Sequence, residues 1–88
     1  MKVRLYSLFD VKSGVYDRPV GMLADGEAVR WFDDLCANKD SVVGRHPSDF
    51  SLFFVGVFDD ARGVIEDSEP SIVTNGCESS ARSNGNAE

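Results

Sequence analysis

One repeat restricts this chain more than any other feature. Phe9-Asp10-Val11-Lys12-Ser13-Gly14-Val15-Tyr16-Asp17 returns 49 residues later as Phe58-Asp59-Asp60-Ala61-Arg62-Gly63-Val64-Ile65-Glu66. The shared pattern is Phe-Asp-x-x-x-Gly-Val-apolar-acid, and each copy follows an apolar run. This reads as two β-hairpins, in which the Asp bonds loop amides and the Gly supplies a positive φ. As turns alone, the two loops need no further function. Loops at residues 11–14 and 60–63 set Phe9 opposite Tyr16, Leu5 opposite Val20 and Phe58 opposite Ile65. Alternation then gathers Val3, Leu5, Phe9, Tyr16, Val20 and Met22 on one face of the first hairpin. By the repeat, Leu52, Phe54, Phe58 and Ile65 share that face in the second. Pro19 has no amide to donate, so the strand around it lies at an edge or bends.

Between the hairpins, Ala28, Val29, Phe32, Leu35 and Cys36 recur at helical spacing, with Asp25 as N-cap and Glu27 near the positive helix end. They predict one amphipathic helix over 25–37, ended by Asn38 in the left-handed conformation. A loop runs from 39 to 50, in which Pro47 opens a short helical turn through Ser48 and Asp49. The expected fold is α+β: a small antiparallel four-stranded sheet in the order β-β-α-β-β, with one helix packed on one face. The domain spans 1–67, as hairpin 2–23, helix 25–37, loop 39–50 and hairpin 51–67. The first and third strands are the most apolar and belong at the centre. From Ser68 the composition turns to Ser, Asn, Gly and Glu, which predicts a disordered tail over 68–88.

At 88 residues the chain holds one domain with a thin core. Its single histidine, His46, precedes Pro47 and reads as a loop residue. Cys36 and Cys77 lie 41 positions apart, one in the predicted helix and one in the tail, and read as thiols of a reducing compartment. No nucleophile–His–carboxylate set, zinc spacing, calcium loop or phosphate loop is present. The expectation is therefore no enzyme, no metal and no cofactor. No apolar run is long enough to span a membrane, and Met1-Lys2-Val3-Arg4 leads into a strand, so no membrane partner is expected. The net charge of −6 is uneven: residues 1–50 carry 7 basic and 8 acidic residues, so the excess lies downstream. An acidic total disfavours strong sequence-independent phosphate binding.

A single helix covers one side of a sheet, so the other should do the work. On the alternation above, that side receives Lys2, Arg4, Tyr6 and Leu8 from the first strand and Phe53, Val55 and Val57 from the third. Two readings follow. In one, Leu8, Phe53, Val55 and Val57 form the interface of a homodimer. In the other, Tyr6 and Phe53 stack on bases of single-stranded DNA while Lys2, Arg4, Arg18 and Arg45 hold phosphates.

Three stretches carry a family resemblance: Tyr6-Ser7-Leu8-Phe9-Asp10, Gly26-Glu27-Ala28-Val29-Arg30-Trp31-Phe32, and His46-Pro47-Ser48-Asp49-Phe50-Ser51-Leu52-Phe53-Phe54-Val55-Gly56-Val57-Phe58-Asp59-Asp60. In order and spacing they resemble the small nonstructural protein of gokushoviruses, single-stranded DNA phages of the Microviridae, over residues 1–67. The resemblance implies a non-enzymatic viral protein of the bacterial host cytoplasm, absent from the virion. It implies DNA binding and a role in genome replication or packaging, with a viral or host replication or packaging protein as the other class of partner. It supplies no site residues.

Overall fold

The computed structural model describes residues 1–76, 78 and 79. The expectations for the Cys77 thiol and for residues 80–88 of the tail lie outside the described residues. Both turns form as the repeat predicts. In the first, the Gly14 amide donates to the Asp10 carbonyl and the Lys12 amide to the Asp10 carboxylate. In the second, Gly63 and Ala61 repeat those bonds on Asp59. Gly14 and Gly63 have φ of 74° and 68°, the left-handed region that side chains avoid. The first turn joins β1 (Lys2–Asp10) to β2 (Val15–Tyr16), setting Phe9 opposite Tyr16. The second joins β4 (Phe50–Asp59) to β5 (Val64–Asn75), setting Phe58 opposite Ile65.

Pro19 breaks the return strand of the first hairpin. Beyond residues 17–19 the chain resumes pairing with β1 as β3 (Val20–Met22), so the sheet has five strands rather than four. The break moves the register by one: Leu5 faces Gly21 and Tyr6 faces Val20, correcting the expected Leu5–Val20 pair. The order is β2-β1-β4-β5, with β3 beside β1, so the first strand and the strand after the helices are central as expected.

The domain limit at 67 is too short. Residues 68–70 bulge opposite Val55, and Ser71 to Asn75 then rejoin the ladder against Phe54 to Ser51. Val73 packs on the core and Thr74 is buried. The polar stretch around Pro70 is a bulge within a strand, not the start of a tail.

Helix α1 spans Asp25–Ala37, the predicted limits. Its N-cap is Ala24, with no side-chain cap; Asp25 is the first helical residue and its carboxylate bonds to the sheet. Glu27 reaches back to the Leu23 amide. Asn38 is extended, with φ of −87°, not left-handed. The segment read as a loop contains α2 (Val42–Arg45), capped by Ser41, whose hydroxyl accepts from the Gly44 amide. Pro47 opens a 3-10 turn, Pro47–Asp49, as expected. Among the described residues, no helix is long and apolar enough to cross a membrane.

The core lies on the opposite side of the sheet from the one expected. Tyr6, Leu8, Met22, Phe50 and Leu52 meet Ala28, Phe32 and Cys36 of α1 and Val43 of α2. In β1 the helix therefore covers the Tyr6 and Leu8 side and leaves the Val3, Leu5 and Phe9 side uncovered. A bulge produces the rest of the correction. The extra Val55 in β4, between partners of Leu5 and Tyr6, reverses the strand's parity. Leu52 and Phe54 thus point to the helices while Phe58 points away. Val20 and Met22 change sides too, because they pair with Tyr6 and Arg4.

Candidate interaction face

The uncovered face has two ends, each built from paired strands. At one end Phe9 of β1, Tyr16 of β2 and Phe53 of β4 form an aromatic cluster. Their ring centroids lie 4.8 Å (Phe9–Tyr16), 5.4 Å (Tyr16–Phe53) and 6.3 Å (Phe9–Phe53) apart, tilted or edge-on. Ile72 of β5, paired with Phe53, flanks them and is 60% exposed. At the other end Val3 pairs with Phe58, which pairs with Ile65, 66% exposed. Leu5 lies between Gly21 and Gly56. A side chain at Gly21 would press on the Val3 methyl group at 2.8 Å, so the glycine leaves room for Val3.

Charge is segregated away from this face. Among the described residues, the paired strand positions of this face carry Asp67, opposite Gly56, and no Lys or Arg, while Glu69 lies in the unpaired 68–70 bulge of β5. Asp10, Asp59 and Glu66 fall on the helix side. Asp25, Glu27, Asp33 and Asp34 belong to α1.

The residues expected to bind DNA are mostly placed elsewhere. Tyr6 is completely buried and cannot stack on a base. Its hydroxyl donates to Asp25 and accepts from Arg4 Nε at 2.9 Å. Arg4 also pairs with Asp25 at 3.1 Å and lies 4.1 Å from the Phe54 ring centroid, so it locks the helix start to the sheet. The Tyr6 hydroxyl bond, with Arg4 behind it, holds the Asp25 carboxyl below its ordinary range. Burial pushes the Tyr6 phenol up. Lys2 is on the helix side, bonded to Glu66 at 3.1 Å. Arg45 ends α2 and donates to the Asp40 carbonyl. Arg18 lies in the exposed link between β2 and β3, and its side chain has no bonding partner among the described residues.

Of the expected dimer residues, Leu8 is in the core, which removes it from any interface. Val55 occupies the bulge. Val57 pairs with Arg4 and Glu66 on the helix side. Phe53 alone of either set stands on the uncovered face. Sequence reasoning grouped Val3, Leu5, Phe9, Tyr16, Phe58 and Ile65 correctly but assigned them to the core. A shallow hollow of about 300 Å³ between the first turn and α2, lined by Asp10, Lys12, His46 and Phe50, lies on the opposite side.

No solved structure matches the chain. Residues 3–79 match the family model described as "Phage ORF5 protein". Protein ORF5 of Chlamydia phage 1, a gokushovirus of the Microviridae, is 33% identical over 79 residues, covering 84% of this chain and 81% of that protein. The family match runs from β1 through the whole of β5 and so includes both the core and the uncovered face. The resemblance read from the sequence is borne out: the chain belongs to the phage ORF5 family.

Proposed function

We propose that this viral protein is a non-enzymatic accessory of single-stranded DNA genome replication or packaging, acting in the host cytoplasm and absent from the virion. It works by docking another macromolecule on the uncovered sheet face. One observation carries the reading: a face of aromatic and aliphatic side chains, spanning both central strands, lies open, while the acids of α1 and Asp10, Asp59 and Glu66 lie on the helix side. Placing Glu at Phe53 and Lys at Ile72 in the phage should stop accumulation of progeny single strands. Reversing Arg30 and Asp34 on the helix surface should not. Equal yields from both variants would overturn the reading.

The aromatic end favours a second reading, direct contact with single-stranded DNA. Phe9, Tyr16 and Phe53 offer rings for stacking, and Lys12 and Arg18 sit in the adjoining turn and link. With two cations available, affinity for a fluorescent oligonucleotide should fall only about fivefold as salt rises from about 50 to about 150 mM. Tyr16→Ala should weaken it further. No anisotropy change at low salt rules this contact out.

A further inference from the structure

We infer that the macromolecule docked on the uncovered face is a second copy of this chain, packed face to face. The inference rests on the reading that this face is the working surface, and it names the occupant.

Area is the first reason. Four strand widths at about 4.8 Å and nine residues at about 3.4 Å give a face of about 19 by 30 Å, roughly 600 Å². Two such faces remove about 1,200 Å² from water, the lower limit for a specific, stable pair. A smaller occupant leaves large apolar groups wet.

Charge is the second. Among the described residues, the paired positions of the face present no cation to hold an anionic polymer, and their carboxylate, Asp67, stands on the edge strand β5, too little to select a basic partner. A net charge of −6 on each copy would normally oppose self-association. Here the acids of α1 and the helix-side Asp10, Asp59 and Glu66 lie across the sheet from the contact, so the repulsion is directed away from it.

Complementarity is the third. A two-fold axis lying in the face and crossing the strands sets the Phe9 and Phe53 end of one copy on the Val3, Phe58 and Ile65 end of the other. Rings then meet the Phe58 ring and the branched Val3 and Ile65 side chains at about the 10 Å separation of stacked sheets. The second sheet supplies the layer that the helices do not, and gives a chain with a thin core a second one.

Sedimentation of the full chain across about 1 to 100 μM tests this. Twice the 9.6 kDa chain mass is expected at the upper end. Ile65 and Ile72 are largely exposed within one copy, so replacing both with Lys leaves the fold intact, as far-UV circular dichroism checks. The double variant should raise the dissociation constant about a hundredfold or more, because it buries unpaired charge at both ends of the contact. In mixtures of labelled and unlabelled wild-type chains, isotope-filtered NOEs should join Phe53 to Phe58 of the partner subunit. A wild-type monomer at about 100 μM, or a dimer indifferent to both lysines, overturns the inference. Under either result, loss of progeny single strands in the Phe53 and Ile72 phage variant would still uphold the face as the working surface, with a different occupant.

Discussion

At the scale of single residues, Asp25 and Tyr6 do the work that a helix cap would otherwise do. The Asp25 carboxylate accepts from Tyr6 and pairs with Arg4, fastening the start of α1 to β1 instead of capping its own amides. Its folded pKa lies below the ordinary 3.8. The stability it contributes is therefore fully present above that value and is lost as pH falls below it and through the folded pKa. Thermal melts between about pH 5 and pH 2 should show a slope that Asp25→Asn flattens; an unchanged slope would remove Asp25 from the lock. Tyr6→Phe, which removes the carboxylate's closest donor, should cost about 1 kcal/mol in a denaturant titration. Phe32, fully buried on the face of α1 turned to the core, should cost about 3–5 kcal/mol on truncation to Ala. The sequence showed Asp25 as a helix-start residue. It did not show that a tyrosine 19 positions earlier would claim the carboxylate, because that bond exists only once the helix lies on the Tyr6 side.

At the scale of elements, the hairpins were legible because their chemistry is local. An Asp and a Gly at fixed spacing determine the turn, and the turn determines which residues pair. Ala at Gly14 or Gly63 meets no atom within 4 Å, so each change should cost only the backbone term, about 1–2 kcal/mol. A cost near zero at both would contradict the left-handed turns. What stayed hidden was longer in range. Both faces of β1 are rich in apolar groups, so alternation separates Val3, Leu5 and Phe9 from Tyr6 and Leu8 without saying which set the helix covers. The Val55 bulge then reverses parity midway along β4, and no residue type announces it. The end of β5 was more accessible, since Ile72-Val73-Thr74 is a β-branched run that composition around Pro70 obscured. Ending the chain at Asp67 should remove the pairing to Ser51 through Phe54 and abolish a cooperative melt, whereas ending it at Ser79 should preserve one. Equal melts would make the second half of β5 dispensable.

At the scale of the whole molecule, the helices with Asp10, Asp59 and Glu66 occupy one side of the sheet, and a largely apolar surface occupies the other. On the proposed reading, that division gives a small acidic phage protein a means of association that does not depend on phosphate attraction. It also explains why the sequence placed the uncovered face on the wrong side: the residues grouped by the repeat were read as core, and the core residues Tyr6 and Leu8 as surface. Both proposals depend on that assignment. A NOE spectrum of the full chain tests it most directly, through the ring protons of Phe32. They should show cross-peaks to Tyr6, Leu8 and Leu52 and none to Phe9 or Phe58; cross-peaks to Phe9 and Phe58 would place the helix on the other face and contradict the assignment.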